Sequence, residues 1–340
     1  MQTTTIQVDP ENPEPEAIAQ AAERLRQGDL VAFPTETVYG LGANALNAEA
    51  AARIFAAKGR PARNPLIVHA ADVDAVRAIV TAWPDTAARL AEAFWPGPLT
   101  LVLPRHASIP DIVTGGGPTV GVRIPAHPVA LALLRAAGVP VAAPSANRSL
   151  QLSPTRAEHV ARSLGGRIPL ILDGGATSGG LESTVLNLSG DVPQLLRPGL
   201  IDPAQIEAVI GPIQRSVSPA PPAEDGPLPA PGMLSRHYAP RAPLELHADS
   251  TDIRVRIHPL LLQGRRVGWL TFGSAVPALP GLVVMSMPRD PAHYAARLYT
   301  ALHELDAADV DAIFVDTPPD EETWLAVRDR LERAAVAASD

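Results

Sequence analysis

The chain reads as two α/β domains in series, the first on a twisted mixed sheet, the second smaller and Rossmann-like. Three features predict this. Short apolar runs of strand length alternate with amphipathic helical stretches, the pattern of α/β folds. The 340 residues exceed the usual size of one domain, and 46% of them are apolar, enough for two cores. Prolines then crowd one stretch: between Pro212 and Pro240 lie Pro219, Pro221, Pro222, Pro227, Pro229 and Pro231, with few core-forming residues. We therefore divide the chain into a first domain at 10–211, a proline-rich linker at 212–240 and a C-terminal domain at 241–340. Such a linker is extended, with roughly 3 Å of reach per residue. It is either a plain spacer or a strap laid across something.

In the first domain, apolar spacing predicts a helix over 17–25 ended by Gly28, then a buried strand over 30–33. An alanine-rich helix follows at 48–57 and a strand at 66–69. Helices at 72–80 and 85–94 precede a strand at 99–103. Strands at 120–124 and 139–142 flank a helix at 128–137. A helix at 155–164 and strands at 168–172 and 184–188 complete the set. Beyond the linker, strands are expected at 244–246, 267–272, 282–285 and 312–315, with helices at 292–305 and 322–335. No GxGxxG turn appears there, so nucleotide binding is not assigned to the second domain.

Composition narrows the chemistry. With no cysteine, disulfides, thiolate zinc sites and cysteine nucleophiles are excluded, and nine scattered histidines lack HExxH-like spacing. No dedicated metal ligands are predicted. Net charge is −8 without any basic block, which argues against tight duplex nucleic-acid binding. An anionic ligand must therefore meet a local pocket of cations. No apolar run reaches membrane-spanning length and the first residues carry no signal-peptide pattern, so the expected location is the cytoplasm, away from membranes.

Of the 28 Lys and Arg residues, one is lysine: Lys58, in Lys58-Gly59-Arg60-Pro61. Arginine is a planar fork of donors, lysine a compact point charge. A site needing a small cation among phosphate oxygens accepts only the second; survival by chance is the alternative.

Pro-, Gly-, Ser- and Thr-rich loops stand at the predicted strand ends, where α/β domains place ligands. One runs from Phe33 through Pro34-Thr35-Glu36-Thr37-Val38-Tyr39 to Gly42. Asn64-Pro65 precedes a strand ending in His69, and Trp95-Pro96-Gly97-Pro98 precedes another. Thr119 and Arg123 bracket one strand with two-residue periodicity and so share a face. Pro144-Ser145-Ala146-Asn147, Ser153-Pro154-Thr155, Glu182-Ser183-Thr184 and Leu196-Arg197-Pro198-Gly199 complete the group.

These strings, in this order, resemble the long form of the threonylcarbamoyl-AMP synthase family: a YrdC-like catalytic domain, a proline-rich linker and a small C-terminal domain. The likeness runs from about residue 10 to 340. Its KxR and SxN elements are Lys58/Arg60 and Ser145/Asn147, and the linker ends in the long-form signature His237-Tyr238-Ala239-Pro240.

The resemblance implies that L-threonine, bicarbonate or CO2 and ATP become threonylcarbamoyl-AMP and pyrophosphate. A partner transferase then carries the group to the tRNA adenosine beside the anticodon. It implies catalytic roles for Lys58, Arg60, Ser145 and Asn147. ATP would meet these four together with Asn64, Thr119, Ser153, Arg197 and Tyr238, with Mg²⁺ accompanying its phosphates. Threonine would meet Thr35, Thr37, Tyr39, His69, Arg123 and Ser183, with Arg123 as a fork for its carboxylate. Tyr238 would give the linker a lid role. His69 is a candidate general base, although the carbamate step need not have one.

Plainer readings stand beside these. Thr35 and Thr37 can cap a strand end, His69 can be a satisfied structural histidine, and Ser145 and Asn147 can cap a turn. Glu36 and Glu182 are alternative metal ligands. The Gly115-Gly116-Gly117 run resembles a phosphate loop but reads better as a flexible turn, and Walker A is absent because no glycine frame precedes Lys58. Two other functions compete. An RNA-binding protein without synthase activity is opposed by the acidic balance, so direct tRNA binding stays open. A serine hydrolase using Ser145 lacks the GxSxG elbow.

Overall fold

The structure is a computed structural model describing residues 1–215, 228, 238–272 and 278–335. Most of the proline-rich linker, with His237, lies outside the described residues, whereas Tyr238, on which the expected lid role rested, is described.

Among the described residues, eleven strands form one mixed sheet: β1 (Thr4–Gln7), β2 (Val31–Phe33), β3 (Gly40–Asn44), β4 (Ile67–His69), β5 (Leu99–Pro104), β6 (Thr119–Arg123), β7 (Val141–Ala142), β8 (Leu170–Asp173), β9 (Thr184–Asn187), β10 (Gln194–Arg197) and β11 (Gln214–Arg215). Their spatial order is β1-β8-β2-β3-β7-β4-β6-β5-β9-β10-β11. Parallel pairs such as β4 with β6 alternate with antiparallel ones such as β2 with β3 and β5 with β6.

Both faces of this sheet are buried. Val31 and Phe33 of β2 pack with Val141, Leu170 and Leu172, whereas Ala32 between them packs with Leu41, Val68 and Leu101. Successive strand side chains point to opposite faces, and each face meets helices. Pro15–Arg26 and Pro128–Ala137 supply Ile18, Leu25, Leu133 and Leu134 to one side. Ala48–Lys58, Asp85–Phe94 and Ala157–Leu164 supply Ile54, Leu90 and Val160 to the other. Each such side chain taken fully from water contributes about 1.5–3 kcal/mol.

The helix Ala48–Lys58 delivers the lone lysine to the interior. Asn47 caps it by accepting from the backbone N–H groups of Glu49 and Ala50. It stops at Gly59, whose φ of 62° is left-handed and suits glycine at a helix end. That stop leaves Lys58 in the last turn, with 2% of its surface exposed.

The second sheet is smaller and wholly parallel: β12 (Leu244–His247), β13 (Val267–Thr271), β14 (Leu282–Ser286) and β15 (Ala312–Asp316), in the order β12-β15-β13-β14. Helices Ser250–Leu262, Pro291–Ala307 and Leu325–Ala335 cover it. This meets the expected small Rossmann-like α/β domain. Its core does not stop at the domain edge, because Val38, Leu152 and Leu181 of the first domain pack in one cluster with Leu298, Leu302 and Leu331.

Several elements differ from expectation. β3 occupies part of the glycine-rich string read as a ligand loop, and β10 carries the Leu196-Arg197 string. The helix expected over 72–80 is short, Val73–Arg77, with Asp72 capping it through Ala75 N–H. Helices Pro203–Ile210 and Ser250–Leu262 were not expected; the first is started by an Asp202/Gln205 capping box, and Pro259 inside the second obscured its periodicity.

Candidate active site

Nine of the expected site residues line one cavity: Thr35, Thr37, Arg60, His69, Arg123, Ser145, Ser183, Arg197 and Tyr238. Glu182, Val38, Gly40, Ile67, Ala143 and Pro144 complete the wall. The residues come from the β2–β3 loop, the turn after helix Ala48–Lys58, the ends of β4 and β6, the segment after β7, and the start of β9 and end of β10.

Lys58 reaches this place from behind. Its Nζ donates to the carbonyl oxygen of Ser145 at 2.5 Å and to that of Asn147. Burial, and after it the charge of Arg60, pushes its pKa well below the usual lysine range. Arg60 is also buried; Asn64 and Pro65 hold its fork, with Nε to Asn64 O at 3.0 Å, Nη2 to Asn64 Oδ1 at 2.6 Å and Nη2 to Pro65 O at 2.8 Å. Arg60 is lowered to about 10, chiefly by burial, with Tyr238 opposing the shift and Arg197 adding to it. Like charges this close are costly unless an anion joins them.

Arg197, at the end of β10, is fixed to Ser183: Nε and Nη2 donate to Ser183 O at 3.1 and 2.9 Å, and Nη2 to Ser183 Oγ at 3.2 Å. Gly199 permits the close return of this strand. A Cβ there would lie 2.3–2.6 Å from backbone atoms of Glu182, Ser183 and Thr184.

A hydroxyl relay occupies the other side. Arg123 Nη1 donates to Thr37 Oγ1 at 3.0 Å, Thr37 and Thr35 hydroxyls lie 2.7 Å apart, and Thr35 Oγ1 is 2.7 Å from Val38 O. A guanidinium only donates and a carbonyl only accepts. The relay therefore runs Arg123 to Thr37 to Thr35 to Val38 O. Arg123 Nε donates to Gly97 O at 3.1 Å, and its Nη2 pairs with Glu36 Oε1 at 2.6 Å, an ion pair without hydrogen-bond alignment. His69 lies edge-on to Phe33, its ring centroid 6.5 Å away. Burial, then Arg123, pushes its pKa down to about 3. His69 is thus a neutral imidazole near pH 7 and a weak proton acceptor, which disfavours it as a general base.

The other expected residues stand outside the cavity wall. Asn147 spends its amide donors on Arg148 O and Gln151 O, both at 2.8 Å, leaving its buried Oδ1 without a hydrogen bond. Ser153 Oγ donates to Glu182 Oε1 at 2.5 Å. Asn64 acts through Arg60. Thr119 sits at the far end of β6 from Arg123, opposite Pro104 of β5. Tyr39 turns away altogether: its hydroxyl donates to Gly175 O at 2.6 Å, and burial raises its pKa.

Sequence reasoning missed the second domain's contribution. Arg330 pairs with Glu182 at 2.7 Å, Tyr299 OH lies 3.2 Å from the same carboxylate, and His303 Nε2 lies 3.0 Å from Ser153 O. These residues sit on ordinary amphipathic helices more than a hundred positions away, and no local pattern marks them. Among the described residues no cluster of three or more His, Asp or Glu side chains could hold a metal ion. Glu182 on the cavity wall and Glu36 outside it are each engaged by an arginine, Arg330 and Arg123 respectively, so the alternative metal role read for them finds no support.

Cations and a relay of hydroxyls thus line one cavity of an α/β fold, the class of site that suits an anionic ligand. Comparison with known proteins gives that class a family. The sequence profile described as telomere recombination, of the Sua5, YciO and YrdC proteins, matches residues 23–199. The profile described as threonylcarbamoyl-AMP synthase, C-terminal domain, matches residues 201–336. The threonylcarbamoyl-AMP synthase of Bacillus subtilis (strain 168) is 48% identical over 94% of this chain and 92% of its own length. That of Pyrococcus abyssi is 44% identical over 93% of each. The crystal structure of P. abyssi Sua5 complexed with L-threonine superposes with a TM-score of 0.89 at 43% identity, covering 98% of both chains. A doubly substituted variant of P. abyssi Sua5 gives 0.90 at 41%, covering 98% of this chain and 96% of that one. The chain belongs to the threonylcarbamoyl-AMP synthase family.

Proposed function

We propose that the chain makes threonylcarbamoyl-AMP and pyrophosphate from L-threonine, bicarbonate or CO2, and ATP, as a nucleotidyltransferase. The observation that carries this reading is the shared wall of the cavity, with Arg60 and Arg197 facing the Thr35–Thr37–Arg123 relay and Lys58 braced on the Ser145–Asn147 turn.

The threonine amine first takes up CO2 and loses a proton, giving a carbamate. A carbamate oxygen then attacks the α-phosphorus of ATP, a P–O bond forms, and pyrophosphate leaves with the electron pair of the broken one. Transfer of this type depends on positioning and on neutralising phosphate charge rather than on a protein nucleophile. Arg60 and Arg197 supply the neutralisation. Lys58 holds the Ser145–Asn147 turn, whose Ser145 side chain and free Asn147 Oδ1 are the polar groups offered to the nucleotide. Arg123 receives the threonine carboxylate, and the Thr35–Thr37 hydroxyls with Ser183 meet the amino acid's polar atoms.

Mg²⁺ belongs to this scheme as part of the ATP substrate, because such ions reach proteins largely through substrate phosphates. No helix among the described residues is long and apolar enough to cross a membrane. The product is a reactive mixed anhydride, which calls for a transferase acting on tRNA as the next protein in line, and for a cytoplasmic setting.

The test is pyrophosphate release by purified protein with ATP, threonine and bicarbonate, each omitted in turn. Release that depends on all three supports the reading. Release without threonine, or tRNA retention without any turnover, refutes it.

A further inference from the structure

Among the second domain's contacts with the cavity wall is one buried cation. Arg330, on helix Leu325–Ala335, has no exposed side-chain surface. Its Nε pairs with Glu182 Oε2 at 2.7 Å, and its Nη2 donates to Pro198 O at 3.0 Å. Its third contact is to Asp329 at 2.5 Å, and its guanidinium carbon lies 5.1 Å from the centre of the Tyr238 ring. Glu182 immediately precedes Ser183, and Pro198 immediately follows Arg197. One guanidinium thus joins the two backbone segments that carry Ser183 and Arg197, and lies against the linker tyrosine as well.

Glu182 is the hub of this contact. Its Oε1 accepts from Ser153 Oγ at 2.5 Å, and Tyr299 OH of the second domain lies 3.2 Å from its Oε2. Burial alone would raise its pKa, but Arg330 and then Arg197 hold it below the usual carboxylate value. A buried charge kept at this cost needs its partner, and loss of one member leaves the other uncompensated. Glu182, Arg197 and Tyr238 all line the cavity.

We infer that Arg330 is a positioning residue of the nucleotide half of the site. By clamping Glu182, Pro198 and the Tyr238 ring, it sets where Arg197, Ser153 and Tyr238 stand. The second domain is therefore a working part of the ATP site, whereas on the threonine side only Ser183 lies on a clamped segment, and Thr35, Thr37 and Arg123 are held by first-domain partners. This inference rests on the synthase reading.

The experiment measures binding of the α,β-methylene analogue of ATP and of L-threonine to the full chain, by calorimetry, in wild type, Arg330→Met and Arg330→Lys. Thermal midpoints of all three are recorded, and titrations are run well below the lowest. Arg330→Met should weaken the analogue at least tenfold and threonine less than twofold. Arg330→Lys, which keeps the charge but loses the fork, should fall between. If Arg330→Met does not fold, the lysine variant decides. Analogue affinity within twofold of wild type in a folded variant, or equal weakening of both ligands, overturns the inference. Wild-type protein that binds neither ligand refutes the synthase reading itself, a separate outcome.

Discussion

The Lys58 ammonium lies 2.5 Å from the carbonyl oxygen of Ser145 and donates also to that of Asn147, joining the end of helix Ala48–Lys58 to the turn after β7. The sole lysine of the chain is thus spent on two backbone carbonyls, and on the proposed reading it acts on a nucleotide through the turn it braces. A charge-assisted bond of this kind is worth about 1.5–3 kcal/mol. Lys58→Ala should lower kcat/KM for ATP roughly ten- to a hundredfold by that measure. Lys58→Arg should also be impaired, because a planar fork cannot occupy a space shaped for one ammonium. Steady-state kinetics on both variants check this, and wild-type rates in Lys58→Arg would dismiss the need for a compact cation.

Arg123 already faces a carboxylate. Glu36 Oε1 stands 2.6 Å from its Nη2, where a substrate carboxylate would bind. If Arg123 receives threonine as proposed, the substrate displaces Glu36 or shares the guanidinium with it. Glu36→Gln should therefore lower KM for threonine about two- to tenfold, the worth of one net polar interaction. Arg123→Lys should raise it by losing the fork. A higher threonine KM in Glu36→Gln would mean that the carboxylate serves the substrate rather than competing with it.

On the proposed reading, the hydroxyls of Thr35, Thr37 and Ser183 set the choice of amino acid. Serine lacks only a methyl group and should lose about 1–3 kcal/mol of transition-state binding. Valine lacks the hydroxyl, leaves a polar partner unsatisfied and should lose more. Competition of each amino acid against threonine measures this; equal use of valine would show that the hydroxyl is not read.

Three histidines make the fold sensitive to acid. Burial is the leading cause in each case, pushing His69 and His159 down to about 3 and His303 to about 4. His159 and His303 stack across the domain boundary with ring centroids 3.8 Å apart. An unfolded histidine takes its proton near pH 6.5. Between there and about pH 4 the unfolded chain binds more protons than the folded one, so stability rises with pH and is lost as pH falls. Thermal midpoints should drop from pH 7 to pH 5, and His303→Phe, which keeps the ring contact, should flatten that slope. An unchanged slope would assign the acid loss to other groups.

Much of the fold was legible in the sequence, for reasons visible in particular elements. Runs such as Val31–Phe33 and Leu99–Pro104 are buried on both faces and therefore read as continuous apolar stretches. β3 did not, because Gly40-Leu41-Gly42 looks like a turn until its pairing with β2 is seen. The cavity wall was legible where motif and loop coincide, at Thr35 and Ser145, with Lys58 bonded to the Ser145 carbonyl behind it. It was not legible at Tyr39, whose hydroxyl faces Gly175 instead of the cavity, nor at Glu182, whose partners Arg330 and Tyr299 lie 148 and 117 positions away. Long-range pairing leaves no local pattern.

The most direct measurement is mass spectrometry of the product formed from ATP, L-threonine and ¹³C-bicarbonate. The expected result is threonylcarbamoyl-AMP carrying the label in its carbamoyl carbon, one pyrophosphate per product, and loss of both in an Arg60→Ala, Arg197→Ala double variant. ATP cleaved to ADP and phosphate, or an AMP product without the labelled carbon, would contradict it.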